Sequence, residues 1–169
     1  NVDDKVVVTI VHATEGVVAT KTLTVAQAAN VKSIEFGTIA TDDAAIKDNP
    51  INVTAMTTNA DKYYLPIIVK DQYGNVLKAA DCVGVDIMSS NSNIVKIASP
   101  AIIDGANGTV IKFVAADAPA SHGTVVITAV AAATGVSANT TITVLENAKI
   151  DTVAIETPST ELKVNRSTV

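Results

Sequence analysis

Short β-branched runs alternating with polar residues dominate the chain. Leu23 and Val25 alternate with Thr22 and Thr24, and Ile142 and Val144 with Thr141 and Thr143. Val83, Val85 and Ile87 alternate with Gly84 and Asp86, and Ile34 and Phe36 flank Glu35. A period of two puts successive side chains on opposite faces of a strand, so each run can cover one side of a core. Leu65–Lys70, Ile94–Ile97 and Thr109–Val114 extend the series, and Gln72-Tyr73-Gly74-Asn75, Asp104-Gly105 and Asn107-Gly108 supply turns. Many short strands at this spacing predict an all-β sandwich or barrel rather than βαβ units. Ile39–Lys47 alone has helical character, and its place between strands predicts a loop or a single helical turn. The expected core is Ile34, Phe36, Leu65, Ile67, Val69, Val85, Ile87, Ile97, Ile111, Phe113, Ile142 and Val144. Pro66 and Lys70 are expected to moderate an exposed sheet edge.

The pattern also repeats. At an offset of 119 residues, which lays Gly16 over Gly135, residues 6–25 match residues 125–144 without a gap at 11 of 20 positions. Val6-Val7-Val8-Thr9 falls on Val125-Val126-Ile127-Thr128, and Thr22-Leu23-Thr24-Val25 on Thr141-Ile142-Thr143-Val144. The likeness runs on more weakly, with Val31-Lys32-Ser33-Ile34 over Ile150-Asp151-Thr152-Val153. One hairpin and the strand after it therefore occur twice. The expected organisation is a complete module at residues 31–146, preceded by the closing strands of another at 1–28 and followed by the opening strands of a third at 149–169. The bridge Glu146-Asn147-Ala148-Lys149 has no Gly/Ser tract, which predicts nearly rigid end-to-end modules.

Composition narrows the function classes. Lys+Arg 12 against Asp+Glu 17 gives a net charge of −5, with Arg166 the single arginine, so nucleic acid is not an expected partner. Mean hydropathy is high at +0.35. It reflects Val, Ile and Ala interleaved with Thr, and no apolar run reaches the roughly 18–20 residues of a spanning helix. Aromatic residues are 3% of the chain, too few for the girdles of a membrane barrel. The lone Cys82 excludes an internal disulfide.

Val69-Lys70-Asp71-Gln72-Tyr73-Gly74-Asn75-Val76 resembles the strand-and-turn signature of bacterial immunoglobulin-like modules. Such modules recur in surface-layer (S-layer) proteins of Gram-positive bacilli and in adhesins. Leu162-Lys163-Val164-Asn165-Arg166-Ser167-Thr168 resembles the family's opening strand, where the next module is expected to start. The sequence departs from antibody-type domains in lacking a core Trp and a Cys pair, and its 119-residue repeat exceeds the ~100 residues usual for such sandwiches. The excess falls in Thr38–Asp61. The Ala/Val/Thr-rich, Cys-poor, acidic composition is most similar to S-layer proteins. The resemblance implies an immunoglobulin-like β-sandwich in tandem, secreted to the bacterial cell surface. There it would space and link neighbouring subunits of a self-assembling lattice, with other regions of the parent protein holding the cell-wall polymer.

Candidate chemistry is sparse. His12 and His122 sit on strand ends assigned to different modules, and Ser121-His122-Gly123 reads as a loop entering a strand, so no catalytic residue and no enzymatic activity are expected. Cys82 has no adjoining cation to lower its pKa, and one Cys with two scattered His cannot close a zinc site. No cofactor is required. Calcium stays open, because Asp42, Asp43, Asp48, Asp61, Asp104 and Asp117 lie in predicted loops and Glu146, Asn147 and Asp151 at a module junction. A Lys–Asn cross-link is not expected, since Lys70 and Lys112 lie on the polar phase of their strands. The alternative function, an adhesin stalk or a carbohydrate-binding module on the same fold, needs exposed aromatics. Tyr63, Tyr64 and Tyr73 are the candidates, and at least one of the adjacent pair Tyr63-Tyr64 is expected to be buried.

Overall fold

A computed structural model describes residues 1–154. The opening-strand pattern at Leu162–Thr168 lies outside the described residues. The described residues form ten strands: β1 (Lys5–His12), β2 (Val17–Thr24), β3 (Val31–Phe36), β4 (Ala40–Thr41), β5 (Tyr63–Asp71), β6 (Val85–Ser89), β7 (Lys96–Gly105), β8 (Gly108–Val114), β9 (Gly123–Ala131) and β10 (Ser137–Val144). One short helix, α1 (Val53–Thr58), precedes β5. The chain is all-β, with antiparallel ladders throughout. Among the described residues no helix is long and apolar enough to cross a membrane.

Two sheets share one core. The first runs β3-β5-β8-β7 with β4 added on β5, and the second runs β10-β9-β6. Leu65, Ile67 and Val69 of β5, Ile111 and Phe113 of β8, Val125, Ile127 and Ala129 of β9, and Ile142 and Val144 of β10 meet there. These are the inward positions of alternating strands, so burying them removes apolar surface from water at about 25 cal/mol per Å². Phe36, Ile87 and Ile97 of the expected core are only half-buried and pack against it. Ile94 and Val95, expected on a strand, lie in the turn before β7 and are buried.

Ile39–Lys47 holds β4 and a single turn in which the Lys47 N–H donates to the Asp43 carbonyl at 3.0 Å, in keeping with the loop or helical turn expected there. Two features differ from expectation. First, a helix stands at Val53–Thr58, where none was expected. Val and Thr are modest helix formers. Here Asn52 caps the helix by accepting from the Ala55 N–H at 2.9 Å, and the buried Ala55 and Met56 pin it to the core. Second, Pro66 and Lys70 do not lie on an edge, because β5 is paired by β3 and by β8. The Pro66 carbonyl accepts from Gly37 N–H at 2.8 Å, so its imide nitrogen faces the gap where the chain has left β3 and not yet joined β4. A missing donor does no harm there. Gly37 eases that approach, since a Cβ there would stand 3.0 Å from the Pro66 Cβ, closer than ordinary van der Waals contact.

β1 and β2 form a separate two-stranded sheet. Every residue of both strands is exposed, including Val6, Val8, Ile10 and Leu23.

Candidate functional site

The turn after β5 is built by Asp71. Its carboxylate accepts from the Tyr73 N–H at 2.9 Å, the Asn75 N–H at 2.8 Å and the Asn75 side-chain amide at 3.0 Å. Gly74 takes φ +84° to close the loop, a conformation that strains any residue with a Cβ. Burial pushes the Asp71 carboxyl up, but the Asn75 amide and the N–H groups of Asn75, Tyr73 and Gly74 outweigh it and hold it below the usual range.

So fixed, the turn presents Gln72 and Tyr73 to the segment between β2 and β3. Gln72 Oε1 accepts from the Asn30 N–H at 2.7 Å, and its Nε2 donates to the Ala28 carbonyl at 2.8 Å. The Tyr73 hydroxyl donates to the Gln27 carbonyl at 2.9 Å. Three hydrogen bonds thus grip the linker that joins the hairpin to the body. Gln72 was not singled out from sequence: a polar residue in a turn looks solvated until the chain it holds is known.

The outgoing segment is held too. Leu145 N–H donates to the Ile51 carbonyl at 2.8 Å, and Val53 N–H donates to the Leu145 carbonyl at 3.1 Å. Asn147 Oδ1 accepts from both the N–H and the hydroxyl of Thr54 at 3.0 Å. Asn147 lines a surface cleft with Tyr63, at the start of β5, whereas the incoming linker is gripped beyond Asp71, at its end. The two attachments therefore lie at opposite ends of a nine-residue strand, about 27 Å apart along its axis.

The hairpin β1–β2 is a structural copy of β9–β10. Val6 faces Leu23 as Val125 faces Ile142, and Thr9 faces Thr20 as Thr128 faces Asn139. The turns agree as well: Gly16 and Gly135 have φ +65° and +70°, and their N–H groups donate to the carbonyls of His12 and Ala131. The copies differ in surroundings. Val125, Ile127, Ala129, Ala131, Ile142 and Val144 are buried, while Val6, Val8, Ile10, His12, Leu23 and Val25 are exposed.

The remaining candidates are dispersed. His12 Nδ1 accepts from the Glu15 N–H in the hairpin turn, and His122 is exposed before β9. Asp42 accepts from the Tyr64 hydroxyl at 2.8 Å, which holds that phenol above its ordinary range. Lys62 donates to Asp43 at 2.7 Å and Lys96 to Asp117 at 2.6 Å, each lowering the carboxyl it meets. Asp104 accepts from the Ala79 N–H, and Glu146 pairs with Lys149. Among the described residues no three His, Cys, Asp or Glu side chains gather as metal ligands. Lys112 is exposed and Lys70 pairs with Glu35 at 3.8 Å.

Tyr63 is buried, its phenol raised by burial and by the nearby Asp43 charge. Tyr64 is half-buried in a cleft of about 420 Å³ with Pro66, Lys112 and Asp42, near the start of β5, and Tyr73 lies past its other end. The three rings do not share a face. Cys82 is buried, which raises its thiol pKa, with Asp81 and Asp104 adding to the shift.

Compared with protein-family models, with curated proteins and with solved structures, the chain matches nothing in any of the three.

Proposed function

We propose that this chain is a structural, immunoglobulin-like β-sandwich module of a self-assembling bacterial S-layer protein, one of several in tandem, whose task is to space and link subunits in a cell-surface lattice. The observation that carries the reading is the pair of held linkers at opposite ends of β5. A binding or catalytic domain has no need to fix both its attachments. A spacer does, because any play at a joint is passed on to the lattice. The Asp71–Asn75 turn supplies the incoming grip, and it is the segment whose sequence resembles bacterial immunoglobulin-like modules.

An adhesin stalk uses the same end-to-end geometry and is the second reading. A sugar-binding module is disfavoured, since Tyr63, Tyr64 and Tyr73 form no common stacking platform. The deciding experiment takes the longer natural polypeptide, adds and withdraws calcium, and looks for ordered sheets by negative-stain microscopy. Two-dimensional sheets support the lattice role. Separate extended rods under every condition overturn it in favour of a stalk.

A further inference from the structure

We infer that the β1–β2 hairpin closes a second module, built like residues 31–144 and lying N-terminal to Asn1, and that its apolar face is fitted to that module rather than to this one. The hairpin β9–β10 shows what covers such a face. Its inward side chains sit in the core between two sheets, and its β9 edge is paired by β6, with Val85 opposite Ala131 and Ile87 opposite Ala129. By the shared register, the equivalent edge of the copy is Val8–His12, to which no strand is paired among the described residues. An apolar face of Val6, Val8, Ile10 and Leu23 beside an open strand edge is unstable in water, and both are satisfied at once by a sheet and a strand of the kind that receive β9–β10.

A second copy of this chain does not meet these demands. Its own β9–β10 already fills the acceptor site, and the copy is too large for that place. Ile10 corresponds to Ala129 and His12 to Ala131, both buried. Exchanging the hairpins would force a branched side chain and an imidazole into space that holds two methyl groups, and over-filling a close-packed core is destabilising. The proper acceptor must leave room opposite Ile10 and offer His12 a polar partner. Lys21 corresponds to the half-buried Thr140 at the rim, where its stem can cover apolar surface with the ammonium in water. The hairpin therefore carries its own address, which keeps neighbouring modules from trading closing strands.

This inference rests on the tandem part of the proposed function but not on self-assembly, and holds whether or not the protein forms a lattice. Amide hydrogen exchange tests it, comparing the 169-residue chain with the natural polypeptide extended one repeat upstream. The expected result is that amides of Val8–His12 slow by about a hundredfold or more in the longer chain, while those of β9 are unchanged. Ile10→Asp in the longer chain should abolish that slowing and leave β9 protected. The milder Ile10→Ala, expected to leave the upstream module folded, should reduce it in part. Equal exchange in the two chains overturns the inference. So does slowing in the 169-residue chain that grows with concentration as it sediments as a dimer, which would make a second copy the occupant.

Discussion

Ile10 and Ala129 occupy the same place in two copies of one hairpin, yet Ile10 is 69% exposed and Ala129 is fully buried. Position in a hairpin decides nothing about burial until the partner sheet is present. The contrast yields a paired measurement. Ala129→Ile should lower the urea-unfolding stability of the 31–144 body by about 1–3 kcal/mol through over-packing. The mirror change, Ile10→Ala, should leave that transition within about 0.5 kcal/mol, because it touches only surface. Equal effects at the two positions would show that the hairpin is packed on the body.

The Asp71 turn should weaken in acid. Its carboxyl titrates lower in the folded protein than in the unfolded chain. Its contribution is therefore fully present above the unfolded value of about 3.9 and is lost as pH falls through the folded one. Following the Asn75 amide resonances by NMR should show the loop opening below about pH 4, before the core strands unfold. Asp71→Asn should remove that pH dependence.

Gln72 and Tyr73 should set the stiffness of the joint rather than the stability of the body. Gln72→Ala with Tyr73→Phe removes all three bonds to Gln27, Ala28 and Asn30. The expected outcome is an unchanged unfolding midpoint and a hairpin that tumbles independently, visible as lower order parameters across residues 1–25. A lowered midpoint with an unchanged joint would contradict this role.

Cys82 should react slowly with a thiol reagent. It is buried and its pKa is raised first by that burial and then by the charges of Asp81 and Asp104, so little thiolate forms near neutral pH. The alkylation rate should rise sharply only in denaturant.

Much of the scaffold was readable before any coordinates, because alternation reports directly on which side of a strand meets the core. Leu65, Ile67 and Val69 of β5, Ile111 and Phe113 of β8, and Ile142 and Val144 of β10 were recognisable this way, and the hairpin repeat was visible as an ungapped match. Other features were hidden for physical reasons. α1 is written in Val and Thr, whose local preference is for strands, and it exists because Asn52 caps it and Met56 is buried. β5 read as an edge because of Pro66 and Lys70, and only the break between β3 and β4 explains how a central strand accommodates proline. The joint depends on Gln72 reaching a segment some forty residues away, a pairing no local pattern announces.

The placement of the two linkers also fixes how the protein meets mechanical force. Tension between the chain before Val31 and the chain after Val144 runs lengthwise along the strands, from the Asp71 end to the Tyr63 end. The β3–β5 ladder is then loaded in shear, so its bonds must yield together rather than unzip one by one.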